Sequence, residues 1–272
     1  MKQIFTVANK EFHDGLRSRW LVSITLIFAI LSLGLTYFGS AASGTIGVAS
    51  LATTIASLAS LAVFLIPLIA LLVSYDSFVG EEESGTLLLL LTYPLSKSQL
   101  LLGKFIGQGG IIALATLLGF GTSAILLITQ SNQENIISTF ALFIGSAILL
   151  GLSFTAIAYI ISLSVSEKSK AAGLALVTWF LFALAFDLAL LALLVGIDDG
   201  LSQQGLTQIM LLNPADIFRL VNLTGLNNSD VSGALAVAIN AGYSVTQLLL
   251  TLSAWVVFPL GIAIALFKGK SL

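Results

Sequence analysis

The residues best placed for chemistry lie between Gly80 and Gly85, where three carboxylates stand side by side: Glu81, Glu82 and Glu83. The two glycines have the spacing of a phosphate-binding loop, but Thr86 occupies the position at which such a loop carries Lys. Adjacent carboxylates would also repel a phosphate group. We therefore expect this chain to bind no nucleotide.

The side chains that usually hold metals or act as nucleophiles are scarce. The chain has no Cys, one His and two Met, which excludes thiolate metal sites, disulfides and cysteine nucleophiles. His13 has no companion ligand near it in the sequence, and soft metals would find few ligands anywhere. We expect no catalytic residue, no metal site and no cofactor bound by this chain.

Asp187 is the one acid or base placed deep inside a long apolar stretch. Its charge would cost about 2.5–3.5 kcal/mol at the centre of a bilayer, so it should face protein or water. It could be a proton or substrate site, or a strut hydrogen-bonded to a Ser, a Thr or a backbone group of a neighbouring helix. Because none of the apolar stretches contains a basic partner, we favour the strut.

The composition places these residues in a membrane. Of the 272 residues, 57% are hydrophobic and only 9% are charged, whereas a soluble domain carries roughly 25% charged residues. This excludes a soluble globular enzyme and a disordered chain. A membrane-spanning helix needs about 20 apolar residues, and six stretches qualify: Leu21–Phe38 and residues 55–75, 105–129, 137–163, 173–197 and 245–267. We predict an all-α integral membrane protein, residues 1–272 forming a single transmembrane domain.

The basic residues predict the orientation of these spans. Ten of the 11 Lys and Arg residues fall on one side, and Arg219 alone falls on the other. Because the cytoplasmic side carries the excess of Lys and Arg, both termini should be cytoplasmic. Residues 40–42, Ser-Ala-Ala, resemble a signal-peptide cleavage site, but the charged stretch before the first span favours an uncleaved anchor.

The stretch before the first span, residues 1–20, has an apolar residue at every fourth position: Ile4, Ala8, Phe12, Leu16 and Trp20. Basic side chains accompany them: Lys2, Lys10, Arg17 and Arg19. This pattern is typical of a helix lying in the membrane interface. A simple basic tail that only sets the orientation is the alternative.

The longest cytoplasmic connection, residues 76–104, combines the three carboxylates with a leucine run at residues 87–91. The run is too short to span, and Pro94 ends it. Since carboxylates are favourable at a helix N-terminus, we predict a short helix with an acidic start across the ends of spans two and three. A second amphipathic turn, residues 97–102, should lead back into the membrane. A solvated loop is the alternative, but its leucines would need an apolar cover.

Small residues indicate where helices could approach closely. Gly103 and Gly107 are four residues apart, and Ser57 and Ser60 are three apart. Such pairs permit close packing of membrane helices.

The external segment, residues 198–244, is too apolar for a plain loop. Asn213, Pro214 and Asp216 have the order of a helix start, with Asn as the cap and Pro at the first position. Asp216 could pair with Arg219, Gly225 should end this helix, and residues 206–212 could form another. These helices could seal an exit or dock a partner, and a purely structural cap is an equal alternative.

The loop also carries a family resemblance. Its acidic stretch, Gly85-Thr86-Leu87, leucine run, Pro94, Lys97 and Leu102-Gly103-Lys104 resemble, in order and spacing, the loop after the second span in permeases of type-two ABC exporters. Leu88 departs from the pattern, because many members carry Glu there. The resemblance implies a coupling helix that docks on a separate ATPase, with these coupling residues: Glu81, Glu82, Glu83, Gly85, Thr86, Leu87, Leu89, Pro94 and Lys97. It likewise implies that residues 1–20 are the elbow helix.

A closer resemblance covers nearly the whole chain. Residues 55–61, 67–72, 168–176, 186–188 and 212–217 are similar to those of permeases in the ABC transporters that help to mature periplasmic nitrous-oxide reductase, a copper enzyme. It implies an inner-membrane homodimer, a cytoplasmic ATPase that binds ATP and Mg, and a periplasmic copper-delivering subunit. Membrane lipid is the remaining partner, and no nucleic acid is expected.

Two alternative functions stay open. The chain could be an ABC exporter permease for an unrelated substrate, or a secondary carrier or proton channel. Carriers usually show internal repeats and several intramembrane polar groups, whereas this sequence shows no clear repeat and a lone Asp187.

Overall fold

The computed structural model describes residues 2–17, 19–38, 50–130, 135–196, 203–224 and 242–270. Within these ranges the regular structure is helical and there is no strand. The helices are α1 (Lys2–Arg17), α2 (Arg19–Phe38), α3 (Leu51–Ser74), α4 (Val79–Glu83), α5 (Thr86–Leu91), α6 (Lys97–Gln130), α7 (Ile136–Ser164), α8 (Lys168–Phe180), α9 (Phe186–Gly196), α10 (Gln203–Met210), α11 (Pro214–Thr224) and α12 (Val245–Gly269). A single π-helical turn, Leu181–Ala185, joins α8 to α9.

Six stretches of the described chain are long and apolar enough to cross a membrane, which confirms the predicted all-α fold with six spans. They are Leu21–Phe38, Leu51–Glu83, Lys97–Gln130, Ile136–Ser164, Lys168–Leu193 and Val245–Gly269. Helix α6, which contains the third span, begins at Lys97, eight residues before the predicted start at residue 105. Its start is a capping box, since Ser96 Oγ accepts from Gln99 N–H and Gln99 Oε1 accepts from Ser96 N–H. Residues 97–102 are therefore the first turns of α6 rather than a separate turn.

Helix α7 lies at the centre of the bundle. Of the 18 most apolar consecutive residues of α7, 61% are buried, whereas only 17% of the corresponding residues in the fifth span are buried. It packs against α3, α6, α11 and α12, and Phe143 and Phe154 are fully buried along it. Since lipid is as apolar as leucine, such helices associate through close packing rather than a hydrophobic drive.

Helix α1 packs along the start of α6 rather than standing apart. A Cβ added at Gly103 would lie 2.6 Å from Val7 Cβ, and one at Gly107 would lie 2.7 Å from Ala8 O. The predicted close approach at this glycine pair is therefore present, and its partner is α1. Only glycine at both positions lets the two backbones come this near.

The first and the last described residues, Lys2 and Lys270, lie at the same end of the bundle, here called the charged end. There the N-terminal helix, the loop after α3, the start of α8 and the end of α12 are joined by ion pairs, such as Glu11–Lys104 and Glu82–Lys270. The other end of the bundle carries α10 and α11. The cleavage-like residues 40–42, Gly225, and residues 197–202 and 225–241 of the predicted external segment lie outside the described residues.

Candidate functional site

At the charged end, one stretch between two spans exposes apolar side chains. We call it the leucine segment, defined as residues 79–94 and comprising α4 and α5. Gly85 separates the two helices with a φ of 72°, a left-handed conformation that favours glycine. Helix α5 ends at Leu91, and Pro94 follows where the helix cannot continue. The segment therefore turns back toward α6 over a short distance.

Helix α7 holds the start of this segment. Ser162 Oγ accepts hydrogen bonds from the backbone N–H groups of Phe78 and Val79, both at 3.1 Å. The ring of the buried Phe78 packs against Tyr159 of α7 and Phe267 of α12, with centroids 5.0 Å apart in each case. These contacts fix α4 to two membrane helices.

The first carboxylate binds a buried lysine. Lys104, which is 3% exposed, places its Nζ 2.7 Å from Glu81 Oε1 and 3.3 Å from Glu11 Oε1. One ammonium group therefore joins α1, α4 and α6. Removing one member of such a buried pair leaves an uncompensated charge, which is far more costly than losing a surface pair.

The other two carboxylates reach different elements. Glu82 binds Lys270 Nζ just beyond the end of α12. Glu83 Oε1 accepts the backbone N–H of Lys168 at 2.6 Å, where α8 begins, and Lys168 Nζ binds Asp76 at 2.8 Å. The three carboxylates thus connect the leucine segment to three other parts of the chain.

The prediction that these carboxylates start the leucine-rich helix is wrong. They form their own short helix, α4, which ends at Glu83 before the turn at Gly85. The left-handed turn at Gly85 separates them from α5, and they bind Lys104, Lys270 and the start of α8 instead.

The leucines of α5 divide between two faces. Leu87 is 1% exposed and packs inside the chain, whereas Leu89 is 65% exposed. Leu88 and Tyr93 are exposed on the same segment. The buried Leu87 therefore anchors α5 to the rest of the chain, and Leu88, Leu89 and Tyr93 form the free apolar face of the segment.

The remaining predicted residues of the loop brace its ends. Thr86 Oγ1 donates to Glu81 O at 3.3 Å. The carbonyl of Pro94 accepts from Gln3 Nε2 of α1 at 2.6 Å. Lys97 Nζ donates to Lys270 O at 2.6 Å and lies 5.7 Å from the Phe267 ring centroid. These bonds hold the segment in place, although Thr86 and Pro94 are themselves exposed.

At the opposite end, α11 begins as predicted with Asn213 before Pro214. Asn213 Oδ1 accepts the N–H of Ala215 at 2.9 Å, and its Nδ2 donates to Phe182 O at 2.9 Å. Phe182 lies in the π-helical turn, where widened hydrogen bonding leaves a carbonyl for an outside donor. The cap therefore also attaches α11 to the fifth span.

Asp187 has a basic partner, which corrects the predicted strut to a Ser, a Thr or a backbone group. Arg219 Nη1 lies 2.7 Å from Asp187 Oδ2 and 2.9 Å from Asp216 Oδ1. The pairing of Asp216 with Arg219 had been predicted from their spacing, but the approach of α9 to α11 had no signal in the sequence. Two carboxylates thus share one guanidinium group.

Burial and, next, the nearby charge of Asp187 raise the pKa of Asp216 from 3.8 to about 7, against the opposing effects of Arg219 and Asn213. The carboxyl therefore changes charge near neutral pH. This cluster can hold or release a proton, and it fixes the position of α11 against α9.

Neither cluster has the arrangement of a catalytic centre. In the described part of the chain, no group of three or more His, Asp or Glu side chains could hold a metal ion. The carboxylates of the leucine segment are already bound to lysines or to a backbone amide. The geometry supports binding and mechanical attachment.

The comparisons with known proteins agree with a membrane role. The model of the ABC-2 family transporter proteins matches residues 5–272. This chain belongs to the ABC-2 transporter family. It is 50% identical, over 273 residues and 99% of both chains, to the probable ABC transporter permease protein NosY of Pseudomonas aeruginosa. The protein of the same name from Stutzerimonas stutzeri is 50% identical over 274 residues.

Membership makes the chain a multi-pass membrane permease, generally the non-catalytic subunit, and it implies an ATPase partner. In this permease the structure reveals contact residues that sequence reasoning missed: Glu11, Lys104, Ser162 and Lys270. The contact of Lys104 could have been predicted from the sequence, since this residue belongs to the Leu-Gly-Lys motif. The contact of Ser162 could not have been predicted, because a serine within an apolar helix is common and does not by itself indicate a role.

Proposed function

We propose that this chain is the transmembrane subunit that couples ATP hydrolysis by a separate ATPase to conformational work across a bacterial inner membrane. The supporting observation is the free apolar face of Leu88, Leu89 and Tyr93. It belongs to the leucine segment, which α4 and Pro94 attach to α1, α7, α8 and the end of α12, so a partner that moves this face would move the spans with it. ATP and Mg bind to that partner.

The proposed orientation puts the charged end in the cytoplasm, together with both termini. Ten of the 11 Lys and Arg residues support it through the positive-inside rule. In this orientation α11 lies toward the periplasm, where Asn213, Pro214, Asp216 and Arg219 fix its first turns. Nine of its 11 residues are buried, which favours sealing an exit over docking a partner.

The proposed work is the maturation of the copper site of nitrous-oxide reductase, by a homodimer of this chain with its ATPase and a periplasmic copper-delivering subunit. The resemblance to maturation permeases supports this assignment, as does the 50% identity to the two proteins named NosY. An export role for another substrate is the alternative.

The chain itself is poorly suited to carry copper. Copper(I) prefers thiolate and thioether ligands, and the sequence has no Cys and two Met. Met210 is buried in α10 at the opposite end. We therefore propose that the subunit passes conformational change outward instead of passing copper.

The decisive experiment changes Leu89 to Asp and measures co-purification with the ATPase and coupled ATP hydrolysis. A carboxylate desolvated at an apolar contact costs several kcal/mol, so association should weaken by at least about tenfold. Ser169→Asp is the matched control, because it adds the same charge to an exposed position near the start of α8, where an acid is favourable. Unchanged association and activity in Leu89→Asp would refute the coupling role.

A further inference from the structure

A cavity of about 580 Å³ lies at the charged end between α1, α2, α3, α6 and the start of α8. This volume falls within the range of about 300–1,000 Å³ that is typical of small-molecule sites. None of its lining belongs to the exposed face of the leucine segment, so the proposed coupling role does not account for it.

The polar wall carries more negative than positive charge. Its charged residues are Glu11, Asp14, Asp76 and Lys168. Asp76 binds Lys168 at 2.8 Å with both side chains partly exposed. Asp14 is 57% exposed, and in the described part of the chain it pairs with the exposed Lys10. A cation entering the cavity would therefore be attracted by Asp14 and Asp76, and Lys168 could turn to an anionic group beside that cation.

A buried hydrogen-bond donor adds to this wall. Gln108 lines the cavity and is 7% exposed. Its Oε1 accepts from Tyr159, and its Nε2 donates to Ser77 Oγ at 2.8 Å. An amide has two N–H donors, and among the described residues the structure gives Gln108 Nε2 this one acceptor. The second N–H is available to an oxygen atom of a ligand.

The opposite wall is apolar and lies where the first span begins. Leu21, Ile24 and Ile111 form it, and all three are nearly buried. Leu21 is the first residue of the span Leu21–Phe38. On the same helix Val22 and Leu26 are exposed, as expected of side chains that face acyl chains. The cavity thus joins a charged wall to the edge of the hydrocarbon core.

We propose that this cavity binds the headgroup of a zwitterionic phospholipid with a primary amine. The ammonium group lies against Asp14 and Asp76, and the phosphate oxygens accept from Lys168 and from the free N–H of Gln108. The acyl chains leave along Leu21 and Ile24. A primary ammonium group can donate three hydrogen bonds to carboxylates, which a trimethylammonium group cannot. The bound lipid would bridge α1 and α8.

The test uses the full chain in detergent and measures lipid binding by native mass spectrometry and by thermal unfolding. The probes are phosphatidylethanolamine, phosphatidylcholine and phosphatidylglycerol with identical acyl chains. Phosphatidylethanolamine should bind about tenfold more tightly than either, the factor expected from one charge-assisted hydrogen bond. Soluble phosphoethanolamine is the fourth probe.

Asp14→Asn should abolish the preference for phosphatidylethanolamine, because it removes a carboxylate that binds the ammonium group. The Asp14 side chain is largely exposed, so the substitution should leave the fold intact. Lys168→Gln should weaken binding of all three lipids. Glu167→Gln is the matched control: it removes an exposed acid of the same end that pairs with Lys170 and does not line the cavity. Equal binding of the three lipids, or an Asp14→Asn variant that keeps the preference, would overturn the proposal. Tight binding of phosphoethanolamine alone would assign the cavity to a soluble ligand instead. These readouts involve no ATPase, so they are independent of the coupling role.

Discussion

A single ammonium group, that of Lys104, connects three elements at the charged end. It is nearly buried, and it contacts Glu81 and Glu11 rather than water. A lysine is rarely so buried unless it is paired, and here the pairs attach the leucine segment to both α1 and α6. Lys104 therefore adds α1 and α6 to the helices that hold α4 in place.

The charge of Asp216 should make the stability of the fold depend on pH. Its pKa is 3.8 when unperturbed and about 7 in the folded chain, because burial disfavours the charged carboxylate. Between about pH 4 and pH 7 the unfolded chain has lost this proton while the folded chain retains it, so rising pH lowers the free energy of unfolding. Below this window both states are protonated, and above it both are ionised. We expect a loss on the order of a few kcal/mol across the window.

The measurement is the thermal unfolding midpoint at pH 5 and at pH 8 for the parent chain and for Asp216→Asn. The midpoint of the parent chain should fall more steeply with rising pH than that of Asp216→Asn, since the asparagine amide cannot ionise. Glu167→Gln, which changes an exposed acid, should keep the parent slope. Equal slopes for the parent and Asp216→Asn would show that this carboxyl does not titrate in the window.

At the level of elements, the sequence predicts what depends on local pattern. Six apolar stretches, the stop at Pro94 and the cap at Asn213 each follow from residues close together in the chain. Two features depend on distant partners and could not be predicted: the ion pair of Asp187 and the burial of Leu87. Both are decided by residues from other helices, which periodicity does not reveal. The separation of the three carboxylates from α5 is local, because it follows from the left-handed turn at Gly85. The early start of α6 was predictable, because Ser96 and Gln99 form a recognisable capping box.

The contact between α1 and α6 can be tested through its glycines. In Gly107→Val the new side chain would meet Ala8 O and Glu11 Cβ at less than van der Waals distance, so α1 must shift. Overpacking of this kind typically costs about 1–3 kcal/mol. Because the chain has no Cys, an Ala8→Cys reporter can be labelled without background. Labelling of this buried position should be several-fold faster when Gly107→Val is also present.

Gly121→Val is the control, since it lies on the same helix and a Cβ there has no neighbour within 4 Å. It should leave the labelling of Ala8→Cys unchanged. The same low rate in the Gly107→Val background would mean that α1 accommodates the larger side chain and is not held by this glycine.

At the level of the whole molecule, two helices reach from the leucine segment to α11. Helix α7 caps α4 through Ser162 and binds Asn222 of α11 through Ser146 Oγ, at 3.0 Å. Helix α12 packs Phe267 against Phe78 at one end, and near its middle Trp255 Nε1 donates to Leu211 O, just before α11, at 3.1 Å. Rigid elements that touch both ends are the physical means by which a movement at one end reaches the other.

This connection leads to the prediction that the chain moves no copper along a ligand-lined path. A copper(I) ion would lose its hydration inside the membrane and would need replacement ligands, but the sequence contains no Cys and two Met. Mechanical work needs only two packed arrangements, one of them favoured when ATP binds at the proposed cytoplasmic end.

Vesicles that hold this chain and its ATPase should show no ATP-dependent accumulation of copper. Adding ATP should instead change the affinity of the periplasmic copper-delivering subunit for the complex. Leu89→Asp should abolish that change, whereas Ser169→Asp should preserve it. ATP-driven copper uptake by vesicles without the periplasmic subunit would contradict the mechanical role, because these spans would then have to supply a copper path.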